Sequence, residues 1–138
     1  MSVYREKLSY PTQGHGTMVD LTGDATEVCR RAGVSEGLLN LFVVGSTAAI
    51  GTIEFEPGLI KDLPALLDRL APPSGDYFHE ATWHDGNGHS HLQATLLGPS
   101  LSIPFESGRL LVGEWQQIFL IECDVRPRRR TVIATVMS

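Results

Sequence analysis

The chain has 138 residues, of which 42% are hydrophobic, and carries a formal net charge of −5 with a pI near 5.4. A chain of this length suits one domain with its own buried core, so we predict a single domain over residues 1–138. The acidic balance excludes a general nucleic-acid-binding protein, which would carry a basic surface. No apolar run is long enough to cross a bilayer, so we expect no membrane partner.

The two cysteines, Cys29 and Cys123, lie far apart and lack the spacing of a redox or zinc motif. Their apolar surroundings favour buried thiols in a reducing compartment, although a disulfide between them stays open. Residues 1–10 alternate polar and apolar positions and contain no hydrophobic segment typical of a signal peptide. We therefore predict a cytoplasmic protein.

Strands are the main element that the apolar pattern predicts. The segment Ile118–Ile121 is apolar on both faces, so its strand should be central and covered on both sides. Alternating or continuous apolar residues, bounded by glycine, proline or polar clusters, indicate strands at 3–10, 15–21, 38–44, 48–55, 91–97, 101–105, 109–112, 117–125 and 131–137.

Two helices complete the predicted fold. Asp24 and Glu27 have the spacing of a capping box, and apolar residues at helical spacing lead from them to Gly33 as the C-cap. The second helix is predicted to begin near Asp62, because Pro64 is tolerated only in a first turn, and to stop before Pro72. The sequence therefore predicts an α+β fold of mostly antiparallel sheets with two helices.

Four of the five histidines lie between residues 79 and 91, in the longest stretch without clear periodicity. In an extended chain His89 and His91 would project from one face and share an ion. The glycine-rich segment 85–88 can bend the chain back, which makes His79 the third candidate metal ligand. Neutral imidazoles suit zinc, nickel, copper or iron. The alternatives are polar loop groups, hydrogen-bonded groups at the edge of the core, general bases or phosphate donors.

Two known metal patterns do not match this stretch. The segment 85–88 lacks the full spacing and the terminal glutamate of a calcium-binding EF-hand loop. No histidine follows His91, so the metal pattern of a cupin barrel is incomplete.

Four further segments contain candidate binding residues. Ser46 and Thr47, in a turn between apolar strands, can hold an anion through amides and hydroxyls or form an ordinary turn. Glu54 lies on a strand and can face a site or the solvent. Trp115 follows a glycine that indicates a bulge, and fits either the core or a ligand platform. The four arginines within 126–130 suit binding of phosphate or carboxylate, a solvated turn or a subunit salt bridge.

Four segments of the chain resemble the YjbQ-like family, also called secondary thiamine-phosphate synthases. They are residues 42–58, 87–100, 113–118 and 124–130, and they follow one another in the family's order. The resemblance covers nearly the whole chain. It implies a β-rich sandwich with helices, assembled as a homotrimer, with a polar site near the subunit boundary.

The resemblance also implies site residues. His79, preceded by Tyr77, matches the family's Tyr-x-His motif, and Asn87 and His91 match its asparagine and last histidine. His89 stands where many members carry aspartate, and Gly45 stands where many carry histidine. The implied reaction joins a pyrimidine pyrophosphate to a thiazole phosphate and releases pyrophosphate. Such chemistry needs groups that hold anions and usually a divalent ion.

The leading hypothesis is a small metal-dependent enzyme acting on a phosphorylated small molecule, either a transferase or a metal-assisted hydrolase. Weak thiamine-phosphate synthase activity is expected as a side reaction. A non-catalytic homotrimer that binds a metabolite or metal is the alternative. The candidate residues are His79, Asn87, His91 and Glu54 for catalysis, Ser46, Thr47, Trp115, Arg126 and Arg128 for substrate, and His79, His89 and His91 for a divalent metal, with zinc favoured.

Overall fold

In the computed structural model, which describes residues 1–138, the chain forms eight strands and four helices. The strands are β1 (Val3–Pro11), β2 (Met18–Asp20), β3 (Glu36–Val44), β4 (Ala48–Ile53), β5 (Ser100–Glu106), β6 (Arg109–Leu110), β7 (Gln117–Glu122) and β8 (Arg129–Met137). The helices are α1 (Thr22–Ala32), α2 (Leu59–Leu70), α3 (Phe78–Trp83) and α4 (Gly88–Leu97). None of the four helices has the length and apolar character needed to cross a membrane.

The strands form two antiparallel sheets. A five-stranded sheet has the order β1-β8-β3-β5-β6, and a three-stranded sheet has the order β2-β7-β4. Strands β3 and β4 belong to different sheets, so the turn 45–47 passes from one sheet to the other at the end of these two strands. The predicted α+β class with mostly antiparallel sheets is confirmed.

The main core lies between the two sheets and α1. It contains 17 buried residues, including Leu41 of β3, Leu120 of β7 and Val132 of β8. The opposite face of the three-stranded sheet carries a second cluster, in which Phe119 and Leu67 pack together with residues of α4. Strand β7 is thus central in its sheet and apolar on both faces, as predicted. Each such buried aliphatic or aromatic side chain contributes about 1.5–3 kcal/mol of transfer free energy.

Helix α1 begins three residues earlier than predicted and has no capping box. Its N-cap residue is Leu21, which makes no side-chain cap hydrogen bond. Asp24 instead accepts a 2.7 Å hydrogen bond from the Tyr10 hydroxyl. This contact joins α1 to β1, while the amide of Thr22 at the start of the helix donates to the Asp20 carboxylate at 2.9 Å. Gly33 closes the helix in the left-handed conformation with φ 70°, as predicted.

Helix α2 begins at Leu59, so Pro64 lies inside it and not in its first turn. The carboxylate of Glu56 explains the earlier start, because it accepts hydrogen bonds from the amides of Gly58 and Leu59, at 2.8 and 2.5 Å. These bonds satisfy amides that the first turn of a helix leaves free. The predicted start near Asp62 is therefore wrong, while the end before Pro72 is confirmed.

The region from residue 74 to 97 differs most from the prediction. The sequence predicted an irregular stretch followed by a strand at 91–97, but the chain forms α3 and then α4. The buried side of α4 consists of Ser90, Gln93, Ala94 and other small or polar residues, so hydrophobic periodicity does not mark it. The fold therefore has four helices where two were predicted.

Two smaller predictions about strands and cysteines have clear outcomes. The predicted strand at 15–21 shrinks to β2, because Gly14 and Gly16 adopt φ of 116° and 83° and turn the chain. Cys29 and Cys123 are both free and buried, as predicted. Burial raises the pKa of the Cys29 thiol to about 11 and that of Cys123 to about 12.

Candidate active site

A polar cleft of about 390 Å³ lies where the helical region meets one end of both sheets. Four separate segments line it: the β3–β4 turn, α3 with the loop after it, α4, and the stretch from the end of β7 into β8. Its lining residues are Gly45, Ser46, Thr47, His79, Trp83, Asp85, Asn87, His91, Asp124, Arg128 and Arg130.

His79, from α3, faces the loop that follows its own helix. Its Nε2 lies 3.0 Å from the Asn87 side-chain oxygen and 3.2 Å from Oδ1 of Asp85. With the Asn87 amide turned over, its nitrogen donates to His79 Nε2 at 3.0 Å and to Asp85 at 2.8 Å. The orientation of the Asn87 amide therefore decides whether Nε2 of His79 donates or accepts a proton.

The loop between α3 and α4 is held in place by Glu80. Its carboxylate accepts hydrogen bonds from the amides of Gly86 at 2.7 Å and Gly88 at 2.8 Å. His84 and Gly86 adopt positive φ of 57° and 71°, which reverses the chain. The bend predicted from the glycine-rich segment is confirmed, and it brings Asp85 and Asn87 back to His79.

His91 and His89 point to different sides of α4. Residues two apart on a helix are separated by about 200°, so they do not face each other. The ring centroid of His91 lies 4.5 Å from that of His79, inside the cleft. His89 is only 2% exposed, and its ring centroid lies 5.2 Å from that of His15.

The prediction that His89 and His91 share one face is therefore wrong, because Gly88–Leu97 is a helix and not an extended strand. Two of the three predicted ligands, His79 and His91, come together, and His89 does not join them. Across residues 1–138 no group of three or more His, Cys, Asp or Glu side chains is positioned to hold a metal ion.

Asp124 anchors the opposite wall of the cleft. It accepts hydrogen bonds from Nε and Nη2 of Arg128 at 3.0 and 2.7 Å, and from the Thr47 hydroxyl at 3.1 Å. The Asn87 amide lies 3.4 Å away. Burial acts to raise the pKa of Asp124, but hydrogen bonds from the Val125 amide, Arg128 and Thr47 outweigh it and lower the pKa. Asp124 is thus a stable anion that orients Arg128.

Arg130 is fixed still more firmly. It is 7% exposed, and its Nε and Nη2 donate to the carboxylate of Glu122, which is 0% exposed, at 2.8 and 2.5 Å. Nη2 also donates to the Thr47 hydroxyl at 2.6 Å. Glu122 accepts two more hydrogen bonds, from the Thr12 hydroxyl and the Asp124 amide. A buried ion pair this fully hydrogen-bonded holds its guanidinium in one position.

The structure gathers some of the predicted site residues and leaves others outside. Ser46, Thr47, His79, Asn87, His91 and Arg128 all line the cleft. Glu54, Trp115 and Arg126 are exposed and do not line it within this chain. Trp115 is 68% exposed in the turn before β7, so its interpretation as a core residue is wrong.

Sequence reasoning missed three cleft residues: Trp83, Asp85 as a partner of His79, and Asp124. Arg130 belongs to the predicted arginine cluster, but Arg126 and Arg128 were chosen from that cluster as the substrate residues. The sequence pattern of β8 could have identified Arg130 as a buried residue. It lies two residues before Val132 in the alternation of β8, on the face that is buried. The signal for Trp83 was absent, because nothing in its segment predicted a helix.

Comparison with known proteins gives one consistent match. The model of the family "UPF0047 protein YjbQ-like" matches residues 6–138. A UPF0047 protein of Methanothermobacter thermautotrophicus is 36% identical over 136 residues, covering 99% of this chain and 93% of that protein. A UPF0047 protein of Archaeoglobus fulgidus is 35% identical over 131 residues, covering 95% and 99%.

Solved structures agree with the sequence match. A YbjQ-like protein of unknown function from Sulfolobus solfataricus superposes with a TM-score of 0.90 at 32% identity, covering 98% of this chain and 96% of that one. A hypothetical protein from Aeropyrum pernix gives a TM-score of 0.85 at 34% identity, covering 96% and 98%. The chain belongs to the UPF0047 protein YjbQ-like family.

Proposed function

We propose that the chain is a small-molecule enzyme that acts on a phosphorylated compound in the polar cleft. One observation carries the proposal: the paired imidazoles of His79 and His91 open onto the same cleft as the guanidinium groups of Arg128 and Arg130. Groups that can move protons therefore lie beside groups that can hold an anion. Membership in the family supports the fold and assigns no reaction.

In this proposal His79 and His91 exchange a proton with the substrate. Asn87 sets which form of His79 is present, because its amide either accepts from or donates to Nε2. Asp85 lies 3.2 Å from the same nitrogen and stabilises a positive charge that develops there. Arg128 is oriented by Asp124 and binds the anionic part of the substrate.

We also propose that a divalent cation binds in this cleft, with zinc as the first candidate. The predicted set of three histidines does not fit, because His89 is buried elsewhere. His79, His91 and Asp85 line the same cleft and have donor atoms that suit such a cation, but they are not positioned to hold it as a set, so binding requires these side chains to rearrange around the ion. When bound, such a cation would supply Lewis-acid stabilisation of negative charge on the substrate.

Thiamine-phosphate synthase activity is the specific transferase reaction that we propose to test. It displaces pyrophosphate, so its substrates carry the phosphates that a cleft with two arginines suits. A metal-assisted hydrolase of phosphate esters uses the same groups and differs in taking water as the acceptor. The two reactions are distinguished by the product, which is a joined compound in one and free phosphate in the other.

The proposal is tested with purified protein, a panel of phosphate esters and the two thiamine precursors. Replacing His79 or His91 by Ala should lower the rate about 100-fold or more, the usual effect of removing a general acid or base. The matched control is His84→Asn, an exposed histidine of the same loop that does not line the cleft. Equal rates in H79A, H91A and wild type would contradict the proposed roles.

Metal content is measured in the same samples by mass spectrometry. We expect a bound divalent cation in wild type and in His84→Asn, and its loss in H79A and H91A. Equal metal in all four proteins would contradict the cation site while leaving the acid–base proposal standing.

We propose that the protein is a homotrimer. Leu38, Phe42 and Val44 are roughly half exposed on the face of β3 that points away from the core, and Phe78 is almost fully exposed on α3. Apolar surface of this kind is typical of a subunit interface. Light scattering should give three times the 15.1 kDa subunit mass, and a monomer would contradict the assembly.

The two free, buried thiols support a reducing, cytoplasmic location.

The second candidate function is a non-catalytic trimer that binds a metabolite or metal. Arg128 and Arg130 are each held in place by a carboxylate. Donors fixed in this way suit recognition of a ligand as well as catalysis, so they are consistent with a binding protein. Saturable ligand binding without turnover across the whole panel would identify this function.

A further inference from the structure

Three successive backbone amides in the β3–β4 turn donate no hydrogen bond within the protein. They belong to Gly45, Ser46 and Thr47, all of which line the cleft. Thr47 is only 4% exposed. Gly45 and Ser46 are exposed, so solvent can accept from their amides, but the N–H groups of buried residues such as Thr47 are nearly always paired, and an unpaired one in a cleft indicates a place for an external acceptor.

The guanidinium of Arg130 also has one free donor beside this turn. Its Nε and Nη2 are used by Glu122 and Thr47, while Nη1 has no partner in the protein. A Cβ atom built on Gly45 would lie 2.7 Å from Nη1. Nη1 of Arg130 therefore stands against Gly45, the first residue of the turn.

Gly45 keeps this corner of the cleft open. Its φ of 132° is a conformation that side chains with a Cβ rarely adopt, and any such side chain would collide with Nη1 of Arg130. Arg128 is held in the same way as Arg130. Its Nε and Nη2 donate to Asp124, and its Nη1 has no partner within the protein. Both arginines have their charge balanced by a carboxylate and still present one free amino group.

We propose that the Gly45–Thr47 turn and the free Nη1 of Arg130 form a subsite for a phosphoryl group, with Nη1 of Arg128 as a further donor. This inference rests on the proposed function and names the part of the cleft that holds the substrate's phosphate. Successive amides and guanidinium groups are the donors that phosphate oxygens accept. Donors from both the turn and two arginines match the several oxygens of a phosphoryl group better than the two of a carboxylate.

The charge balance predicts how the subsite works. Arg130 is neutralised by Glu122 and Arg128 by Asp124, so the subsite attracts an anion through fixed donors and not through excess positive charge. Binding of inorganic phosphate should therefore resist added salt more than binding to a lysine-rich surface does. This behaviour distinguishes the subsite from nonspecific anion attraction.

The test uses inorganic phosphate as the probe, titrated into the full-length protein by calorimetry at constant ionic strength. Arg130→Lys keeps the positive charge opposite Glu122 and removes the free Nη1, so the dissociation constant should rise about tenfold or more. Arg129→Lys is the matched control, because Arg129 is exposed on the same strand and its Nη1 contacts Ser9. This control should bind phosphate as wild type does.

A second pair of variants substitutes neither residue of the buried ion pair. Gly45→Ala places a Cβ against Nη1 and should weaken phosphate binding to a similar degree. Gly98→Ala is its control, since Gly98 also has a positive φ of 92° but no atom within 4 Å of the added Cβ. Weakened binding in Gly45→Ala and not in Gly98→Ala supports the subsite even where Arg130→Lys fails to fold.

Three results would overturn the inference. The first is no saturable phosphate binding by wild type, and the second is unchanged binding in the folded Arg130→Lys or Gly45→Ala protein. The third is acetate binding with the same affinity and the same dependence on Arg130, which would assign the subsite to carboxylates. Phosphate binding that persists in H79A and H91A without turnover by wild type supports the subsite and refutes the proposed catalysis, so the two failures are distinguishable.

Discussion

Helix α4 supplies one histidine to an open cleft and another to a buried cluster, and the two environments contrast sharply. His91 lies beside His79 in the cleft, next to charged groups that face solvent. His89 lies on the inner side, against the rings of His15 and Tyr77. Nε2 of His15 is 2.7 Å from Asp68 of α2, and its Nδ1 is 3.0 Å from the Cys123 carbonyl oxygen.

The contrast shows that a histidine-rich segment can divide its residues between chemistry and packing. In the buried cluster, Asp68 also accepts a 2.9 Å hydrogen bond from Gln93 of α4, so polar groups join α2, α4 and the sheet. In the cleft, the groups around His79 and His91 leave room for a ligand. The position of a histidine around the helix, and not its place in the sequence, decides which of the two it joins.

The largest expected difference is in stability. Replacing His89 by Ala should lower the free energy of unfolding by about 2–4 kcal/mol, because it leaves a cavity between α4 and the His15 ring. Replacing His91 by Ala should cost under about 1 kcal/mol, since its side chain lines an open cleft. Urea denaturation measures both. Similar losses for the two variants would mean that the proposed division between packing and chemistry is false.

A smaller loss of stability is expected when the acceptor of the buried cluster is removed. Asp68→Ala leaves His15 Nε2 and Gln93 without their shared carboxylate. The carboxylate is partly exposed, so water replaces some of these bonds and the cost should be about 1–2 kcal/mol. Lys61→Ala, an exposed change on the same helix, is the control for altered helix propensity. A thermal unfolding midpoint equal to that of the control would show that this cluster does not join the elements.

The sequence predicts the sheets far better than the helical region that forms the site. In β7 the run Ile118–Ile121 is apolar and buried because the strand has a core on each face, and in β8 the buried residues Val132, Ala134 and Val136 alternate with less buried ones. The same alternation extends to Arg130, a charged residue on the buried face of β8. Only its pairing with Glu122 explains that position, and no local pattern reveals a partner eight residues away.

Helix α4 was mistaken for a strand because its buried face is polar. Ser90 and Gln93 occupy positions that leucine or valine fills in most helices, since they pack where hydrogen-bonding partners are available, as Gln93 does with Asp68 and the Ala71 carbonyl. Pattern reading assumes that buried positions are apolar, and it fails where the interior is built from satisfied polar groups. His79 and His91 were still identified from the density of histidines, and Asn87 from the family resemblance, because neither depends on the helix being recognised.

The smallest expected difference between the buried His89 and the cleft residue His91 is in how stability depends on pH. Burial lowers the pKa of His89 below its ordinary value, and the neighbouring His15 lowers it further. The unfolded chain then binds more protons than the folded one at pH values just below the unfolded pKa of about 6.5. The contribution of His89 to the free energy of unfolding is therefore fully present above the unfolded pKa and is lost as the pH falls toward the folded pKa.

His89→Gln removes this titration and keeps a polar side chain of similar size. Its urea midpoint should change less than that of wild type between about pH 7.5 and about pH 5.5. His91→Gln, in the open cleft, should retain the wild-type slope, because His89 is still present. If His91→Gln flattens the profile and His89→Gln does not, the proton-sensitive histidine lies in the cleft and the buried cluster is not the source of the pH dependence.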